Sequence, residues 1–140
     1  MDSVGADYFC FIDDDEIASA HWIRNIYQTL KHYDADIVAG PVIATYPKNT
    51  PSWVVESKVF ERPRISTGEI PKSVATGNCI IKTSIIQKTG VRFDNRFALS
   101  GGEDSDFFSR LILSGYKAVY CNEAEVYEEA DLSRMNPIIA

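Results

Sequence analysis

In Tyr8-Phe-Cys-Phe-Ile-Asp-Asp-Asp-Glu16, five aromatic or apolar residues end abruptly in four acidic ones. An unbroken apolar run of that length predicts a strand buried on both faces, the kind found in parallel α/β sheets. Ligands of open α/β sheets bind beyond the carboxyl ends of the strands, which is where Asp13, Asp14 and Asp15 fall. In extended chain Asp13 and Asp15 point to the same side, so their carboxylates can converge on one hard cation such as Mg2+ or Mn2+. Acidic residues at a strand-to-helix junction also stabilise a helix N-terminus, by about 0.3 to 1 kcal/mol each. One carboxylate suffices for that, whereas three in a row repel one another unless a cation or deep solvation offsets the repulsion.

The segments that follow extend the α/β pattern. Trp22, Ile23, Ile26, Tyr27 and Leu30 recur at helical spacing and predict a helix over 19–33 with Ser19 as its cap. Residues 36–46 read as a second strand in which Gly40-Pro41 marks a bulge, bend or edge. Residues 47–64 are polar and rich in proline, and predict a loop carrying a short amphipathic helix. A strand over 73–82, a short helix over 83–88, a helix over 103–114 stopped by Gly115, and short strands at 118–121 and 124–127 complete the pattern.

The chain has 140 residues, enough for a single core. Its 45% hydrophobic and 24% charged content is that of an ordinary globular domain. A net charge of −6, with the 14 cationic residues scattered, excludes a nucleic-acid surface. An acidic protein with an anionic substrate needs a local basic pocket or a bridging divalent cation. Cys10, Cys79 and Cys121 are widely spaced in apolar stretches and read as buried reduced thiols rather than a disulfide framework. No apolar run reaches the roughly 20 residues of a membrane span, and the N-terminus lacks the regions of a signal peptide. A cytoplasmic location follows, with a peripheral position at the inner face of the membrane compatible with it.

A second acidic group, Gly101-Gly-Glu-Asp-Ser-Asp106, again joins a turn to carboxylates. Glu103, Asp104 and Asp106 also suit the positive end of a helix dipole. Three strings in order carry a resemblance. Tyr8 to Glu16 resembles the strand and Asp-x-Asp element of family 2 inverting glycosyltransferases of the GT-A fold. Ala75-Thr-Gly-Asn-Cys-Ile-Ile-Lys82 is similar to their acceptor-side strand, and Gly101 to Phe108 to their later Glu-Asp element. Their order and separation agree across about Asp7 to Glu128.

That resemblance implies a donor sugar on a nucleoside diphosphate and a saccharide or lipid-linked acceptor. Asp13 would lie near the ribose or metal, Asp14 would assist in binding the cofactor, and Asp15 would be the direct ligand of Mg2+ or Mn2+. Asp104 would be the general base toward the acceptor hydroxyl and Glu103 its positioning partner. Many relatives end this domain with a ligating His; here Val126-Tyr-Glu128 stands instead, so Glu128 would complete the metal site. This pattern resembles the branch of bacterial exopolysaccharide (succinoglycan-type) transferases. His21 and His32 read as surface groups of the first helix. Trp53, Phe60 and Asn78 read equally as acceptor contacts or as packing.

The resemblance further implies that 1–140 is a single domain, a truncated GT-A mixed sheet with flanking helices. It would lack the N-terminal nucleotide-binding βαβα half of roughly 80 to 100 residues, so on its own the chain would be incomplete as an enzyme and bind a nucleotide-sugar weakly or not at all. The first strand would then be an open edge, inviting self-association. Two alternatives stay open: a non-catalytic remnant or interaction module of the same fold, and a phosphoryl-transfer aspartate enzyme. Haloacid-dehalogenase-like phosphatases follow Asp-x-Asp with Gly-Thr or Gly-Val, whereas Asp15 is followed by Glu16-Ile17.

Overall fold

The structure, a computed structural model, describes residues 7–72, 77–89 and 108–134. Its strands are β1 (Tyr8–Ile12), β2 (Glu16–Ala18), β3 (Ile37–Ala39), β4 (Val42–Thr45), β5 (Asn78–Lys82), β6 (Ala118–Tyr120) and β7 (Val126–Glu129). Its helices are α1 (Trp22–His32), α2 (Ser52–Ser57) and α3 (Thr83–Thr89), with a further helical stretch over 108–113. The strands form two mixed sheets, ordered β1-β5-β3-β6 and β2-β7-β4. In the first, β5 runs antiparallel to both β1 and β3, and β3 runs parallel to β6.

Side chains alternate across the first sheet with the strand period of two. Ile37, Ala39, Cys79, Ile81, Ala118 and Tyr120 face one way, against Ile85 and Ile86 of α3 and Phe108 and Leu111 of the helical stretch. Val38, Ile80 and Val119 face the other way, against Trp22, Ile26 and Leu30. Those three recur every four residues and give α1 one apolar stripe. Helices on both faces of a mixed sheet make this an α/β fold. The helix begins later than its apolar pattern suggests, because Ser19 is tied to the strands: its N–H donates to the Glu125 carbonyl and its own carbonyl accepts the Trp22 N–H. Among the described residues no side chain caps α1. Asp34, left-handed at φ 49°, ends it.

Gly40-Pro41 does more than bend a strand. It splits the expected 36–46 strand in two and hands the chain from the first sheet to the second. A Cβ on Gly40 would sit 2.6 Å from the Ala124 carbonyl and 2.7 Å from Asn78 Nδ2, so only glycine fits. Asn78 is 2% exposed and fully engaged. Its Oδ1 accepts from Trp22 Nε1 at 2.7 Å, and its Nδ2 donates to the carbonyls of Pro41 at 2.9 Å and Ala124 at 2.7 Å. It joins α1, the sheet crossover and the turn before β7, and is a packing residue rather than an acceptor contact.

The first strand differs from its expected setting. β1 is an edge strand among the described strands and pairs antiparallel with β5. Cys10 and Ile12 are exposed there, and only Cys79 and Cys121 are buried thiols. The opposite edge is covered: the Gly68 N–H donates to the Tyr120 carbonyl, and the Tyr120 N–H donates to the Glu69 carbonyl.

Candidate functional site

The acidic end of β1 folds into a tight turn rather than a helix N-terminus. The Glu16 N–H donates to the Asp13 carbonyl at 3.1 Å, and the Asp13 N–H donates to Glu16 Oε1 at 2.7 Å. These reciprocal bonds close the turn and launch β2, which pairs antiparallel with β7 and sets Glu16 opposite Glu128. Residues more than a hundred positions apart are thereby brought to one place. Carboxylate oxygens of Asp13, Asp15 and Glu128 all lie within 4.8 Å of one another. Asp14 sits exposed on the same turn, outside that group.

Glu16 is 9% exposed, and its Oε2 has no hydrogen-bond partner among the described residues. Burial pushes its carboxyl up to about 7, and the charges of Asp13, Glu128 and Asp15 add to this against the opposing hydrogen bond from Asp13. Gly77 comes up against the same carboxylates. A Cβ there would lie 3.1 Å from Glu16 Oε2 and 3.5 Å from Asp13 Oδ2.

The group opens into a cleft of about 470 Å³ whose lining includes Phe60, Arg62 and Asp131. Phe60 stacks edge-on against Tyr46. Arg62 Nη2 lies 3.3 Å from Glu128 Oε1. A second cleft of about 820 Å³ shares Asp15 and is lined in part by Ile17, Pro47 and Tyr127. Trp53 is exposed on α2, and His21 and His32 are exposed at the two ends of α1. Glu103 and Asp104, together with Asp106, lie outside the described residues.

The donor set suits a hard divalent cation. Carboxylate oxygens are the ligands Mg2+ and Mn2+ favour, and opposed ligands of Mg2+ stand at most about 4.2 Å apart. Neighbouring ligands of an octahedral Mg2+ stand about 3 Å apart, so the three exposed or half-buried carboxylates would close further around an ion. A buried carboxylate oxygen without a partner beside them is a further sign that positive charge belongs here. Sequence reasoning missed Glu16, Gly77 and Arg62. The Asp13-x-x-Glu16 spacing could have signalled the reciprocal turn, whereas nothing local marks Arg62, whose partner is 66 residues away.

Comparison with known proteins fits this arrangement. The glycosyl transferase family 2 profile matches residues 1–90, which include the turn with Asp13 and Asp15. The succinoglycan biosynthesis protein ExoM of Rhizobium meliloti (strain 1021) is 31% identical over 135 residues, covering 96% of this chain and 43% of that protein. The chain thus spans less than half the length of the curated relative it matches. With the profile covering well over half of its residues, the chain belongs to glycosyl transferase family 2.

Proposed function

We infer that the chain is the cation- and acceptor-facing part of a glycosyltransferase. The reaction is transfer of a sugar from a nucleoside-diphosphate donor to a hydroxyl of a saccharide or lipid-linked acceptor, with inversion at the anomeric carbon. The observation that carries this reading is the meeting of Asp13, Asp15 and Glu128 in the lining of one cleft. A relative named for succinoglycan biosynthesis supports a polysaccharide product. No helix among the described residues is long and apolar enough to cross a membrane, and the donor nucleotide is consistent with work at the cytoplasmic face.

Asp13, Asp15 and Glu128 would hold the divalent cation, Mg2+ or Mn2+, with Asp14 toward the nucleotide. When bound, that ion supplies Lewis-acid stabilisation of the charge that builds on the leaving diphosphate. Glu16 fixes the turn through the Asp13 N–H and so orients two of the three ligands. Asp104 would take the proton from the acceptor hydroxyl as its oxygen attacks, with Glu103 positioning it.

Turnover of a panel of nucleoside-diphosphate sugars with Mn2+, by the chain joined to a nucleotide-binding half of its family, tests the reading. Asp15→Asn is expected to lose Mn2+ dependence and activity together. Asp104→Asn should keep donor binding while turnover falls by about 10²- to 10⁴-fold. Turnover indifferent to chelation, or an Asp104→Asn variant as active as the parent, would reject it.

A further inference from the structure

The cleft beside the carboxylate group is lopsided in charge. Asp13, Asp15, Glu61, Glu128, Glu129 and Asp131 line it, and Arg62 is its one cation among the described residues. A diphosphate entering that cleft meets a field of its own sign, and at separations of a few ångströms each uncompensated carboxylate opposes it. A divalent ion held by Asp13, Asp15 and Glu128 still leaves Glu61 and Glu129 facing that diphosphate. The geometry points to Arg62 as a second diphosphate-binding group, restrained by Glu128 until a divalent cation takes that carboxylate. The inference rests on the reading that Asp13, Asp15 and Glu128 hold such a cation.

Two neighbouring arginines make the case by contrast. Arg64 is anchored at three points on the turn between β6 and β7. Its Nε donates to Asn122 Oδ1 at 2.7 Å, and its Nη2 donates to the Asn122 carbonyl and to Glu125 Oε2, both at 2.9 Å. That anchorage fixes the backbone two residues from Arg62. Among the described residues Arg62 itself makes a single charged contact, 3.3 Å to Glu128, with the two side chains 56% and 28% exposed. An exposed one-point ion pair contributes little to stability, so exchanging it sacrifices little. The planar guanidinium binds a pair of phosphate oxygens better than one carboxylate oxygen at the edge of hydrogen-bonding range.

A Glu128 carboxylate that donates charge to a cation holds Arg62 less strongly, so the two partners compete for it. Removing the guanidinium should therefore free Glu128 for the metal while depriving the diphosphate of a partner, and the two effects have opposite signs. A structural role for Arg62 would weaken both.

The test uses the chain with two probes, Mn2+ alone by electron paramagnetic resonance and inorganic pyrophosphate at saturating Mn2+ by calorimetry. Arg62→Gln is expected to hold or raise Mn2+ affinity, by up to about fivefold, and to lower pyrophosphate affinity about tenfold. Arg62→Lys should recover part of the pyrophosphate affinity. Pyrophosphate binding unchanged in Arg62→Gln, with Mn2+ binding intact, overturns the inference alone. Loss of Mn2+ binding in Arg62→Gln overturns it in favour of a structural role. A parent chain that binds no Mn2+ removes the metal reading and the inference with it.

Discussion

Glu16 carries the most unusual electrostatics among the described residues. It is buried, faces three carboxylates, and accepts the Asp13 N–H with one oxygen while the other has no partner among the described residues. Its folded-state value of about 7 lies above its ordinary 4.5. Between those values the folded chain holds a proton that the unfolded chain releases. The stability associated with that proton is fully present below about 4.5 and is lost as pH rises through about 7. In EDTA, unfolding free energy should thus fall by up to about 3 kcal/mol across that window, as an upper bound. Glu16→Gln keeps an acceptor for the Asp13 N–H and removes the titration, so its curve should be flatter and lie above the parent at pH 8. Parallel urea-unfolding curves for the two proteins between pH 5 and pH 8 would contradict the assignment.

At the scale of elements, the parts readable in the sequence were those whose physics is local. The stripe of Trp22, Ile26 and Leu30 writes α1 directly, and Gly40-Pro41 marks a break. The same residues do not say that the chain changes sheets there, because this depends on Ala124 and Asn78 packing against a glycine that leaves them room. β2 was not readable at all. It has three residues, and its central Ile17 is 72% exposed, so no apolar alternation marks it. Yet β2 is what sets the aspartate turn beside Glu128. Asp13 and Asp15 stood out because contiguous like charges demand compensation; Glu128 came only through resemblance, and Arg62 through nothing in its own neighbourhood. Asn78 tests the crossover. Asn78→Ala would leave the Trp22 indole N–H without its acceptor and take a donor from the Ala124 and Pro41 carbonyls, of which Pro41 keeps the Val126 N–H, and should cost about 2 to 4 kcal/mol in urea unfolding. Asn78→Asp, which sets an acceptor against the carbonyls of Pro41 and Ala124, should cost at least as much. An Asp variant as stable as the parent would show that the crossover tolerates the loss of those bonds.

Over the whole molecule, the carboxylate group sits on the seam between the two sheets. Asp13 and Asp15 belong to the turn that leaves the first sheet, and Glu128 belongs to β7 of the second. A cation held by all three would tie the sheets together and relieve repulsion in a chain of net charge −6. Binding to the folded state alone stabilises it by about 2.7 kcal/mol when the free ion is at a hundred times its dissociation constant. For a chain of this size that corresponds to a rise in melting temperature of roughly 5 to 10 °C. Screening of surface charges would also stabilise an acidic protein, but it follows ionic strength and not the identity of the ion. Mn2+ should therefore raise the melting temperature well beyond NaCl at matched ionic strength, and EDTA should reverse the rise. The double variant Asp15→Asn with Glu128→Gln should lose the Mn2+ increment, whereas Asp14→Asn, on the same turn but outside the group, should retain it. Equal shifts from NaCl and Mn2+, or an increment that survives in the double variant, would mean that the three carboxylates repel one another at the seam without sharing a cation.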